Sequence, residues 1–213
     1  MTETNRVTTM QRCKFIELVQ RSIPDVHHAD RLINLGAKLG VTPDGPWIAG
    51  GAIRRVLLGE DIPTDVDVFF RSKEQYDEME RLLTGWGWEK TSQNDHNSVY
   101  KIAPDYWPNA PKLQLIHIDF YHSAEVLLDY FDFTICQFAF DGVDLIHGPY
   151  SLWDLGRKRL AVHRIQFPIS STRRLLKYAN QGFTACNGCL SELHRQSQEV
   201  RMDDDRWSIF YID

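Results

Sequence analysis

Ile62-Pro-Thr-Asp-Val-Asp-Val-Phe-Phe70 is the stretch whose reading decides the fold. Successive side chains of an extended strand point to opposite faces, so Asp65 and Asp67 project together while Val66 and Val68 enter a core. Two carboxylates on one face can hold a Mg²⁺ or Mn²⁺ ion and leave coordination positions for phosphate oxygens and water. Upstream, Trp47-Ile-Ala-Gly-Gly-Ala-Ile-Arg-Arg-Val-Leu-Leu-Gly59 reads as a short apolar strand, a tight turn at Gly50 and Gly51, and a helix with Ile53, Val56 and Leu57 inward. Glycine lets backbone approach a triphosphate closely, and a helix start offers free N–H donors to an anion. Downstream, Leu113-Gln-Leu-Ile-His-Ile-Asp-Phe-Tyr121 reads as a buried strand whose one acid is Asp119. An ionised carboxylate in such a run is costly unless it is paired or binds a metal. The expectation is a two-metal site with Asp65 and Asp67 as bridging ligands and Asp119 on the nucleophile side.

These residues resemble the polymerase β-like nucleotidyltransferase superfamily, and within it the head and neck of the CCA-adding enzyme and bacterial poly(A) polymerase family. Gly50 to Gly59 followed by Asp65 and Asp67 is similar to that family's Gly-Gly-x-Val-Arg-Asp-x-Leu-Leu-Gly and Asp-x-Asp. Asp132-Phe-Thr-Ile-Cys-Gln-Phe-Ala-Phe-Asp141, then Leu145-Ile-His-Gly-Pro-Tyr-Ser-Leu-Trp-Asp-Leu155, resemble two further segments, and Arg173 to Phe183 resembles the neck helix. The resemblance spans about residues 46 to 183. It implies transfer of an NMP from an NTP to an acceptor hydroxyl, with Gly50, Gly51, Arg54, Asp132, Arg174 and Lys177 around the nucleotide. The acceptor it implies is an RNA 3′ end, with a small molecule or a protein hydroxyl as the alternative. Four positions depart from the pattern: Arg55 stands for an aspartate, Phe131 for an arginine, and Ser170 and Ser171 for the acidic pair of the neck. The altered neck predicts a blunter choice between bases, and it motivates a second reading: a nucleotide-binding regulatory or interaction module without turnover.

At 213 residues and 43% hydrophobic content the chain can bury a full core. A net charge of −5 excludes a broadly basic nucleic-acid surface and leaves local clusters at Arg157 to Arg159, His163, Arg164 and Arg173 to Lys177. No apolar run is long enough to span a bilayer and the first residues lack a signal peptide's apolar core, so a cytoplasmic, membrane-free protein is expected. Cys13 and Cys136 read as buried thiols, and Cys186-Asn-Gly-Cys189 as reduced thiols in a helix-ending turn, structural zinc being the lesser reading. Trp86, Trp88 and Trp107 read as core or loop packing, with stacking on a base as the alternative.

The expected architecture is α+β: a small mixed sheet with helices on one side, then a short helical neck. The segments are N-terminal helices over 1–45, a nucleotidyltransferase palm over 46–125 and a neck-like helical region with a C-terminal extension over 126–213. Helices are predicted over Met10 to Ile23, Ala29 to Leu39 and Lys73 to Leu83, and a closing strand over Trp207 to Ile212.

Overall fold

Val66 and Val68 are fully buried in a strand whose alternate residues are only half-buried, as the sequence alternation requires. In the computed structural model, which describes residues 9–22, 27–62, 64–107, 109–201 and 204–207, that strand is the sixth of eighteen main elements. They begin β1 (Gln11–Lys14), α1 (Phe15–Ser22), α2 (His27–Lys38), β2 (Trp47–Ala49), α3 (Gly51–Leu57) and β3 (Asp65–Phe69). They continue α4 (Lys73–Gly85), β4 (Glu89–Gln93), β5 (Asn97–Lys101), β6 (Lys112–Ile116), α5 (Ala124–Asp129), β7 (Phe138–Phe140) and β8 (Asp144–His147). The last are α6 (Ser151–Gly156), β9 (Arg159–Leu160), α7 (Pro168–Asn180), β10 (Thr184–Ala185) and α8 (Asn187–Glu199).

The chain divides into two compact units. One comprises Gln11–Leu127 with Phe138–His147 and holds an eight-stranded sheet in the order β1-β8-β7-β2-β3-β6-β5-β4. Only β3 and β6 run parallel, and α4 with the β4–β5 hairpin makes the crossover that parallel neighbours need. Register places Phe140, Ile48, Val68, Leu115 and Ser98 in one row on one face. Helices cover that row: Phe15 of α1 packs on Phe140, Gly36 of α2 brings its backbone against Phe140 and Ile48, and Tyr76 of α4 bonds Ser98 at 2.7 Å. A Cβ at Gly36 would stand 2.9 Å from the Phe140 ring, so this close approach requires glycine. Ser72 starts α4 by accepting the Gln75 N–H, the usual serine N-cap.

The other unit holds, among the described residues, 9–10, 128–137, 148–201 and 204–207. Its core sets Phe133 edge-on to Tyr178 at 5.8 Å, with Cys136 Sγ donating to the Tyr178 hydroxyl. Asp154 is fully buried and accepts from Thr134 and Arg159, each at 2.6 Å.

Several expectations are corrected. Gln11–Lys14 forms a strand on β8 instead of the first turn of a helix, because the helical spacing begins only at Phe15 and Val19. Ile16 is exposed, Leu57 is half-buried, and Ile23 lies outside the described residues. Residues 138–147, expected in the neck-like region, return to the sheet as β7 and β8, whose buried Phe138, Phe140, Leu145 and Ile146 need cover on both faces. Cys136 is buried and Cys13 half-exposed on β1. The Trp207 to Ile212 strand lies almost wholly outside the described residues, where Asp205–Trp207 makes a 3₁₀ turn.

Candidate active site

The face of the sheet opposite that helix-covered row carries the acids. Its central row runs Ala139, Ala49, Asp67, Gln114 and Val99 across β7, β2, β3, β6 and β5. The row beside it sets Asp65, Lys112 and Lys101 on β3, β6 and β5. Ala49 and Ala139, which continue the row on one side of Asp67, are fully buried. Neighbouring strands lie about 4.8 Å apart, so Gln114 and Lys112 are the immediate neighbours of Asp67 and Asp65. Gln114 also accepts from Asn97 Nδ2 at 3.4 Å. Gln114 and Lys112 are neighbours of the two aspartates that the sequence reading passed over. The alternation that buries Leu113 and Leu115 could have found them, since it turns residues 112 and 114 to the face of the aspartates.

Gly50 caps α3 with φ 83° and ψ −131°, a conformation that favours glycine, and its N–H is spent on Phe138 O at 2.8 Å. A Cβ built on Gly51 meets nothing within 4 Å, so open space lies over this backbone. Arg54, expected near phosphates, is 3% exposed on the inner side of α3.

Asp119 departs from expectation. β6 ends at Ile116, and Asp119 is exposed beyond it, its Oδ1 accepting the Phe120 N–H at 2.8 Å. The buried-strand reading fails because His117 and Ile118 are only half-buried: apolar alternation continues in the sequence after the strand pairing has stopped. Among the described residues no three His, Cys, Asp or Glu side chains are grouped to hold a metal ion. The half-buried pair Asp65 and Asp67, sharing a face with open space over nearby Gly51, still fits a hard cation that keeps water and phosphate oxygens among its ligands.

In the other unit Asp132 is 5% exposed and accepts from Ser171 Oγ at 3.0 Å and Arg174 Nη1 at 2.8 Å. Ser170 and Ser171 are each 1% exposed, so the serines of the altered neck face inward instead of presenting hydroxyls to a base. Lys177 is half-buried and Arg173 exposed on α7. The basic clusters are engaged as well: Arg157 and Arg159 lie over the Trp153 ring, and His163 and Arg164 both bond Asp129. Trp88 and Trp107 are buried, with Lys38 of α2 over Trp86 at 4.2 Å and Arg31 over Trp107 at 5.6 Å. Trp86 and Trp107 thus pack against α2, and Trp88 against Trp86 and Tyr106.

A mixed sheet with one acid-bearing face and helices on the other defines the class, and solved structures agree. A Thermotoga maritima CCA-adding enzyme complexed with tRNA matches 88% of this chain and 46% of its own, with TM-score 0.56 and 19% identity. A CCA-adding enzyme with CTP matches the same share of this chain and 47% of its own, with TM-score 0.56 and 18% identity. At such identities the likeness is one of fold: a polymerase β-like nucleotidyltransferase palm followed by a short helical neck. The profile of the Gabija anti-defense 2 family matches residues 17–158, and the chain belongs to that family. "Gabija anti-defense 2" of Bacillus phage SPbetaL7 is 32% identical over 140 residues, which is 64% of this chain and 33% of that protein. The chain thus spans about a third of the length of the curated relative it matches. None of the described helices is long and apolar enough to cross a membrane.

Proposed function

We propose that this chain moves an NMP from an NTP to an acceptor hydroxyl, with release of pyrophosphate, and that it does so in countering the defence for which its family is named. The observation that supports this best is the pair Asp65 and Asp67, half-buried on one sheet face beside the Gly50–Gly51 turn. Asp65 and Asp67 would hold Mg²⁺ or Mn²⁺, which supplies charge neutralisation at the phosphates and lowers the pKa of an attacking hydroxyl. Gly51 leaves its backbone open to a phosphate chain, and Lys112 beside Asp65 offers a cation on the same face. Asp119 is retained as an accessory acid at the end of β6. The acceptor proposed first is an RNA 3′ end, then a small molecule or a protein hydroxyl.

Incubation of the chain with each labelled NTP and with total RNA or lysate protein, with and without Mg²⁺, tests this reading. Label transferred by the wild type and lost in Asp65→Asn and Asp67→Asn, with unchanged circular dichroism, is the expected result. A second reading is favoured by Gln114, an amide where a third carboxylate would stand nearest to Asp67. It makes the chain a nucleotide-binding module that counters the defence by binding. Mg²⁺-dependent NTP binding without transfer, with anti-defence activity surviving in both Asn variants, would select it.

A further inference from the structure

Cys186-Asn-Gly-Cys189 opens a helix. Cys186 is the N-cap of the 13-residue α8, with extended φ −80° and ψ 168°, and its carbonyl accepts the Leu190 N–H at 3.1 Å. The side chain is exposed and turns back over the first turn, its Sγ 3.7 Å from where a Cβ on Gly188 would stand. The cap makes no full side-chain hydrogen bond, yet the nearby backbone N–H groups of Cys189 and Gly188 draw the thiol below its ordinary range, helped by the Arg159 charge. The β9–β10 pairing sets Arg159 opposite Thr184, two residues before Cys186. Arg159 also bonds the buried Asp154 and shares the Trp153 ring with Arg157.

Cys189 is 5% exposed, and burial and the neighbouring Cys186 push its thiol up. Three residues along a helix separate Cα atoms by about 5 Å. That falls inside the disulfide range of about 4.4–6.8 Å. One sulfur is open to solvent and activated, the other sheltered and within bonding reach.

We propose that Cys186 and Cys189 form a thiol–disulfide exchange site, Cys186 attacking and Cys189 resolving, with a small anionic aliphatic disulfide as oxidant. Cys186 Sγ attacks one sulfur of RSSR; the S–S bond breaks and one RS⁻ leaves with the electron pair. Cys189 gives its proton to solvent and attacks Cys186 Sγ, expelling the second RS⁻. The two cysteines are oxidised to one disulfide, and RSSR is reduced to two thiols. The Arg159 charge that acts on Cys186 favours an anionic oxidant over a cationic one.

Oxidised glutathione is the probe, with an alkylating quench and peptide mass spectrometry on the whole chain. The wild type should yield a Cys186–Cys189 disulfide, Cys189→Ser should keep one glutathione on Cys186, and Cys186→Ser should react at Cys189 at least about tenfold more slowly. Serine is itself a good N-cap, so Cys186→Ser keeps the helix start. Cys13, half-exposed with its thiol raised by burial, and the buried Cys136 are internal references. Should Cys189→Ser fail to fold, the pH profile of iodoacetamide alkylation at wild-type Cys186 decides, and its midpoint should lie below the ordinary thiol value of about 8.5. Glutathione on Cys13 as fast as on Cys186, a wild-type mixed disulfide that never closes, a midpoint at or above the ordinary value, or zinc held between the two thiols would each overturn the proposal.

Discussion

Removing the Asp132 carboxylate should cost the neck-bearing unit more than any change on its surface. Asp132 is 5% exposed and has two side-chain donors, Ser171 Oγ at 3.0 Å and Arg174 Nη1 at 2.8 Å. Breaking a buried ion pair by deleting one partner costs about 3–5 kcal/mol; Arg174 is 22% exposed and keeps some water, which argues for the lower end. The stranded Ser171 hydroxyl, 1% exposed, adds about 1 kcal/mol. Asp132→Ala should therefore destabilise by about 4 kcal/mol. Asp132→Asn can keep an oxygen where Oδ2 accepts from both donors but loses the charge, and should cost about 2 kcal/mol. Ser171→Ala leaves the ion pair intact and should cost about 1 kcal/mol. Urea unfolding followed by circular dichroism and by fluorescence supplies the three values, and a cycle with Ser171→Ala should return a coupling of about 1 kcal/mol. An Asp132→Ala loss below about 1 kcal/mol, the scale of an exposed pair, at unchanged m-value would refute the buried-network reasoning.

Gly51→Val should weaken Mg²⁺-NTP binding at least about tenfold in calorimetry while shifting the ligand-free melting temperature little, because its Cβ meets no protein atom. Equal affinity would show that the glycine serves only the turn. Asp119→Asn should reduce transfer less than Asp65→Asn or Asp67→Asn, since Asp119 is exposed outside the strand; abolished turnover measured side by side would restore it as a full ligand. Glu80 is held below its usual range: burial works against the charge but is outweighed by hydrogen bonds from Lys90, Tyr100 and Tyr76. A depressed carboxylate contributes stability above its unfolded value of about 4.3 and loses it as pH falls through the folded value. Glu80→Gln should flatten the pH dependence of unfolding below that point, and an unchanged acid limb would exclude Glu80 as a contributor.

The palm was legible because its signals are local. Alternation at Val66 and Val68 fixes the face of Asp65 and Asp67, and Gly50 with φ 83° is the turn that its double glycine announces. The neighbours of these acids were hidden in the register. Lys112 and Gln114 reach them only through the parallel β3–β6 pairing, whose offset no short-range pattern encodes. Asp119 misled for the same reason, since apolar alternation runs on past the last paired residue. In the neck, Ser170 and Ser171 read as missing base contacts, whereas packing turns Ser171 toward Asp132, 39 residues earlier in the chain. The Cys186–Cys189 spacing was visible, but its place at a helix start depends on β10 ending just before it.

The β1–β8 pairing joins Gln11 to His147, and β7 enters between β8 and β2 with Phe140 opposite Ile48. During synthesis, therefore, the first strand made waits for the last two, and β2 has one edge uncovered while some ninety residues are added. Long-range pairing of this kind slows folding, because loop closure comes before any contact rewards it. The uncovered edge belongs to Trp47, Ile48 and Ala49, all fully buried in the finished sheet. A nascent chain paused before Phe138 would display that apolar edge to other strands, which makes the interval before β7 emerges the point at which this fold is most exposed to aggregation.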